Sequence, residues 1–415
     1  MLYIFTKIII AMIKIGTMIW MLLSCCLSIK AQQGWWGAQL QRTDGSNITF
    51  TFEWKTEKGK PVWYIRNAAE RIKVTNIALN GDSLLVQMPV FESQFRLKKS
   101  GNKLSGVWIK NGAVKTQVIP FSASYRGARF IARTIADKNI SGRWAASFPN
   151  SASDKISVAE FKQTGNKLTG TFLNATGDYR YLEGIVTKDS LFLSGFDGGH
   201  AFLFTAKIGT DQSISNGVFY SGGTYKENWS AVKNANAKVP MESVEMFVKP
   251  GEESLHFTFN NLEDKPVSIN DERFKNKAVV IQLMGSWCPN CMDETAFLSE
   301  YYNKNKQRGI EVIALAYEYS TNLERSTKSL QKFQNRYNIQ YTILNTGVTV
   351  GDSFRTEKTL PELTQIKFFP SSVILDKKGK IRKLDTGFNG PGTGEHYLIY
   401  KKEFEELIDK LLLEK

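Results

Sequence analysis

The sequence predicts a multidomain protein: an all-β N-terminal region of two related meanders, forming a barrel-like or curved sheet, followed by an α/β domain. Three observations carry this. The 415 residues are too many for one hydrophobic core. Residues 35–232 read as short strands separated by turns built on Gly with Asn or Asp. Beyond residue 250 the pattern alternates between strand-like apolar runs and segments of helical periodicity.

Residues 1–31 read as a secretory signal. Lys7 and Lys14 flank apolar runs, Ile15–Leu27 is almost wholly apolar, and Ser28-Ile-Lys-Ala31 leads into a polar start at Gln32. Two processing routes fit: cleavage after Ala31, or lipid attachment at Cys25, since Leu22-Leu23-Ser24-Cys25 resembles a lipobox. No later stretch has the ~18 consecutive apolar residues needed to span a bilayer. The expected protein is exported to the periplasm or cell envelope, soluble or tethered only through an N-terminal anchor.

The β region divides into repeats at 35–125 and 141–232, joined around Arg126–Asp137. Ile48–Trp54, Ser83–Met88 and Leu191–Ser194 read as strands. Gly101-Asn-Lys-Leu-Ser-Gly106 recurs as Gly165-Asn-Lys-Leu-Thr-Gly170, and Asp82-Ser-Leu84 recurs as Asp189-Ser-Leu191. Sheet closure of some kind is expected, because long open edges invite aggregation. Trp35 and Trp36 either fill the β core or line a ligand groove. A polar linker, 234–250, follows.

From 251 to 415 the expected order is β-α-β-α-β-β-α after two short strands, Leu255–Phe259 and Pro266–Ile269. Val279–Leu283 is a buried strand. A helix runs from Pro289 to about Arg308 and stops at Gly309. Glu311–Tyr317 is a strand, Leu323–Tyr337 a helix, and Tyr341–Leu344, Ser372–Leu375 and Lys380–Leu384 are strands. Tyr400–Leu411 marks the last helix. Thr346–Thr364 is long for a connection and is expected to hold an extra helix or a specificity surface.

The cysteines point to the chemistry. There are four, and Cys25 and Cys26 lie in the leader, so the folded region holds only Cys288 and Cys291. A lone Cys-x-x-Cys at the start of a helix can close a small disulfide ring. Unsatisfied N–H groups and the helix dipole favour negative charge on the first sulfur, Cys288, which suits a nucleophilic thiolate. Cys291, one turn in and more buried, suits a resolving thiol. A zinc site needs about four ligands. There is no second Cys-x-x-Cys and the three histidines, His200, His256 and His396, are scattered, so no metal is expected. The formal charge of +14 comes from Lys and Arg spread along the chain with no nucleic-acid motif, so no nucleic-acid partner is expected either.

Gly285-Ser-Trp-Cys-Pro-Asn-Cys291, Glu294 three residues on, and Phe369-Pro370 before the strand Ser371–Asp376 carry a family resemblance. Residues from about 250 onward resemble the TlpA-like thiol:disulfide oxidoreductases of the thioredoxin superfamily, which overlap with the redoxin (AhpC/TSA-related) group. The resemblance implies a thioredoxin-like fold and a redox-active Cys288–Cys291 disulfide with no other cofactor. It implies that Trp287, Pro289 and Phe369 shape the loop and that Pro370 is a cis-proline facing the sulfurs. It also implies a disulfide-bearing substrate protein and a membrane thiol donor that restores the dithiol. Gln282 departs from the pattern, standing where thioredoxins carry a buried acid. Glu294 shares a helix face with Cys291 and is expected to take over as acceptor of its proton.

Two other functions are consistent with parts of the chain. A thiol peroxidase would use Cys288, but Ile281–Cys288 lacks the Pro-x-x-x-Thr-x-x-Cys pattern. An envelope binding protein would use the β region, with the redox domain as accessory. The Gly-rich run Gly387–Gly394 lacks a strand-to-helix Walker pattern and is not read as a phosphate cradle, and His396 is expected at the surface.

Overall fold

The computed structural model describes residues 33–151, 155–210, 212–240 and 245–414. The leader, with Ala31 and Cys25, lies outside them. Among the described residues no helix is long and apolar enough to cross a membrane.

The first sheet is a nine-stranded antiparallel meander. Its spatial order is Glu70–Val74, Lys60–Asn67, Ile48–Glu57, Gly34–Leu40, Thr116–Tyr125, Lys103–Asn111, Ser93–Ser100, Ser83–Gln87, Asn76–Asn80. The first and last strands of that order are consecutive in sequence, parted only by Thr75, so the sheet curls round into a barrel with its seam there. Alternate residues point inward, as a half-buried strand requires. Ile48, Phe50, Phe52 and Trp54 are all fully buried. Trp36 joins that core, whereas Trp35 is 44% exposed with Arg66 over its ring.

The second sheet closes outright. Ile156–Thr164 pairs with Gly142–Ser147 on one side and Lys167–Asn174 on the other, completing the ring through the strands up to Tyr225–Lys233. Both copies of the Gly-Asn-Lys-Leu echo are hairpin turns, between Ser93–Ser100 and Lys103–Asn111 and between Ile156–Thr164 and Lys167–Asn174. They occupy different places in the two meanders, so this echo is a shared hairpin solution. The Asp-Ser-Leu echo, in contrast, opens the sixth strand of each. The barrels pack together through Phe196 of the second, which stacks on Phe50 of the first at 4.2 Å.

The C-terminal domain is thioredoxin-like. Its seven-stranded sheet is ordered Pro266–Ser268, Thr258–Asn261, Thr342–Asn345, Ile310–Ala316, Ala278–Met284, Ser371–Leu375, Ile381–Thr386. The strands Ala278–Met284, Ile310–Ala316 and Thr342–Asn345 are mutually parallel, and the rest pair antiparallel. Every residue of Ala278–Met284 is buried, as for a central strand covered on both faces. Four α-helices accompany the sheet: α1 (Pro289–Asn305), α2 (Leu323–Tyr337), α3 (Arg355–Thr359) and α4 (Glu395–Leu413). The short α3 lies in the long connection 346–364 and puts Arg355 over the Phe369 ring at 5.9 Å. The linker end joins this domain through a bridge between Val248 and Leu363.

Candidate active site

The central strand ends at Met284, and the turn Gly285-Ser286-Trp287 delivers the chain to α1. A Cβ on Gly285 would fall 2.1 Å from the Trp287 ring nitrogen, so only glycine fits beneath the indole. The indole N–H donates to the Tyr317 carbonyl at 2.8 Å. Its ring stacks on Tyr319 at 5.2 Å and meets the edge of Phe369 at 5.8 Å. Glu318 grips the turn from the neighbouring strand end, accepting from the Ser286 N–H (2.8 Å) and hydroxyl (2.7 Å). Burial pushes the Glu318 carboxyl up to about 7.

Cys288 is the N-cap of α1, and Pro289 occupies the first helical position, where its missing N–H costs nothing. The Cys291 amide donates to the Cys288 sulfur at 3.4 Å, so the N-cap side chain takes up one of the unpaired N–H groups of the first turn. The Cys288 thiol also lies 3.4 Å from the Phe369 carbonyl. The Phe369–Pro370 peptide is cis. Both cysteines are free thiols; Cys288 is 4% exposed and Cys291 not at all. Burial, then the neighbouring Cys288 sulfur, holds the Cys291 thiol well above its ordinary range.

Glu294 follows Cys291 by three residues, on the same inward face of the helix. It is 1% exposed and has no cation beside it. Its oxygens accept from the Ser372 hydroxyl (2.5 Å) and the Gln282 amide (2.8 Å). Burial raises its pKa to about 7, and those two donors oppose the rise. Gln282 is therefore a support for Glu294: it takes a hydrogen bond from Thr295 at 3.0 Å and presents its N–H groups to the carboxylate. Cys288, Cys291, Trp287, Pro289, Glu294, Phe369 and Pro370 meet at one end of the sheet.

Sequence reasoning missed a second set of groups. Asn290 and Asp293, on the side of the same helical turn that faces the second barrel, are 9% and 7% exposed because that barrel covers them. Arg180 of that barrel grips Asp293 with two hydrogen bonds, 2.9 and 2.8 Å, and also reaches Glu70 of the first barrel at 2.7 Å. The neighbouring acids Asp293-Glu294 and the glycines of 387–394 were the available signals. Glu318 left none, since its partner Ser286 lies 32 residues away. The histidines are dispersed: His200 pairs with Asp197, His256 with Glu362, and half-buried His396 with Glu160 of the second barrel. Among the described residues no group of three or more His, Cys, Asp or Glu is arranged to hold a metal.

With this geometry in hand, the comparisons are specific to one part of the chain. The AhpC/TSA family model matches residues 250–384, the thioredoxin-like domain. The chain is similar to the thiol-disulfide oxidoreductase ResA of Bacillus thuringiensis subsp. konkukian (strain 97-27), 28% identical over 132 residues. That match spans 32% of this chain and 66% of the relative, just under two thirds of its length. ResA of Halalkalibacterium halodurans is 26% identical over 161 residues, 39% of this chain and 77% of that one. The solved thiol-disulfide oxidoreductase from Bacteroides fragilis NCTC 9343 matches 38% of this chain and 99% of its own, at 16% identity and a TM-score of 0.29.

Proposed function

We propose that the protein is a thiol–disulfide oxidoreductase of the cell envelope that reduces disulfides in substrate proteins. The observation that carries this is the buried free dithiol: Cys288 caps a helix N-terminus and Cys291 shares a face with a carboxyl that titrates near neutrality. The Cys288 thiolate attacks one sulfur of the substrate disulfide. That S–S bond breaks, a mixed disulfide forms, and one substrate thiolate leaves. Cys291 then loses its proton to Glu294 and attacks the Cys288 sulfur, breaking the mixed disulfide. The substrate departs with two thiols and the enzyme holds the Cys288–Cys291 disulfide. Two electrons have passed to the substrate, and a membrane thiol donor returns them to the enzyme.

The names of the ResA relatives support this reading for the C-terminal domain, and the apolar leader with Cys25 supports export. The test is turnover of 2-hydroxyethyl disulfide with a thiol reductant. Cys288→Ser should abolish it. Cys291→Ser should instead accumulate a mixed disulfide visible by mass. Wild-type turnover by Cys288→Ser would overturn the reading.

A further inference from the structure

The glycine-rich run 387–394 is unused by the chemistry above, and so is the buried outer face of α1. The two are parts of one feature. A Cβ on Gly387 would lie 2.9 Å from the Thr176 backbone, one on Gly390 2.6 Å from an Asp293 oxygen, and one on Gly392 2.9 Å from the Arg180 backbone. Gly387 and Gly392 admit no side chain because the loop 174–180 of the second barrel rests its main chain on them, and Gly390 admits none because Asp293 of α1 lies against it. The same loop rests on the residue between the cysteines. A Cβ on Gly177 would lie 1.8 Å from the Asn290 side-chain nitrogen. With that nitrogen turned toward Asp178, the Asn290 amide donates to the Asp178 carbonyl (3.0 Å) and accepts from the Asp178 N–H (2.9 Å). Asp178 in turn accepts from the Gly390 N–H at 2.8 Å.

This contact reaches the sulfurs in two steps. The Gly387 N–H donates to the Pro370 carbonyl at 2.9 Å, and the adjacent Phe369 carbonyl is 3.4 Å from the Cys288 sulfur. Of the surfaces around Cys288, the flank made by Asn290 and Gly390 is buried beneath the barrel loop. The flank made by Trp287 and Tyr319 is half-buried and open. The cover is fixed. Arg180 sits among Asp293, Glu70 and, at 3.7 Å, Asp197, so lifting the loop would strand buried charges of both signs.

We propose that the loop 174–180 is one wall of the disulfide-binding groove, with Arg180 as the positioning residue that pins it, so that the second barrel sets the steric selectivity of Cys288. The site then accepts a disulfide in a small molecule or protruding on a narrow segment, and rejects one lying flush in a folded surface. This rests on the oxidoreductase reading.

The experiment uses the full chain and two substrates, 2-hydroxyethyl disulfide and native insulin. The readout is the ratio of kcat/KM for insulin to kcat/KM for the small disulfide. Arg180→Met removes the pin; Arg180→Lys keeps the charge, loses the two-bond grip on Asp293, and guards against misfolding of the first variant. Hydrogen exchange at residues 174–180 reports whether the wall has loosened. The expected result is a ratio at least tenfold above wild type in whichever variant shows faster exchange there, a change that general damage to the fold would not produce. A ratio within twofold of wild type despite faster exchange overturns the wall while leaving the oxidoreductase reading intact. Failure of the wild-type protein to reduce either disulfide overturns both. If exchange stays slow in both variants, Arg180 does not pin the loop and the proposal fails.

Discussion

Two carboxyls adjacent in sequence, Asp293 and Glu294, point to different neighbours from the same turn of α1 and are compensated differently. Burial pushes both up to about 7. At Glu294 only neutral donors, Ser372 and Gln282, work against that rise. At Asp293 the opposing group is a full guanidinium, Arg180, which its carboxylates keep firmly protonated. A buried carboxyl without a counter-ion can exchange a proton near neutral pH. One gripped by a guanidinium is a structural anchor. The identity of the compensating partner, more than the depth of burial, separates the carboxyl available to the proposed proton transfer from the one that ties the helix to the second barrel.

The comparison can be broken from either side. The largest effect is expected from Arg180→Met, which leaves Asp293 with no buried counter-ion. By the usual cost of breaking a buried pair, urea unfolding should show a loss of about 3–5 kcal/mol. Asp293→Asn in the same background should recover part of it. Glu294→Gln should slow resolution of the mixed disulfide about 100-fold, near the lower end of general-base contributions, in single-turnover thiol release. In the wild-type protein the resolution rate should climb with pH through about 7, because Glu294 accepts the Cys291 proton only when ionised.

The same substitution should be stabilising at high pH. The folded-state pKa of Glu294 lies above its ordinary 4.5, so ionising it disfavours the folded state at pH above 7, and the penalty fades as pH falls toward 4.5. That rise corresponds to about 3 kcal/mol, an upper bound on the gain of Glu294→Gln at pH 8. The gain should vanish at pH 4. The smallest effect is expected at Trp287→Phe, which removes the hydrogen bond to the Tyr317 carbonyl and should cost about 1 kcal/mol in stability.

Much of the C-terminal domain was legible because its signals are local. Val279–Leu283 is a continuous apolar run, and Gly309, at φ 95°, stops the helical segment after α1 as a glycine in that position does. The sheet order of the β region was not legible, since hairpin signals fix neighbours and leave ring closure open. The repeated Gly-Asn-Lys-Leu turn even suggested an alignment between the meanders that the strand positions do not follow. At the site, Cys288 and Cys291 announce themselves by spacing and Glu294 by its place on the helix. Glu318 and Arg180 do not, because each reaches its partner through tertiary contacts, Arg180 across 113 residues of sequence. The run 387–394 showed unusual glycine content, and the tertiary contacts of Gly387 and Gly392 with the barrel loop and of Gly390 with Asp293 give the reason for three of the four.

The most direct test is the reduction potential of the Cys288–Cys291 pair in the purified protein. The protein would be equilibrated in graded dithiothreitol buffers, with trapped thiols counted by mass. A reductase with a buried Cys291 and a proton acceptor at Glu294 should give a value near or below about −250 mV, close to that of thioredoxin. A value near about −120 mV would mark a strong oxidant and contradict the proposed direction of electron flow.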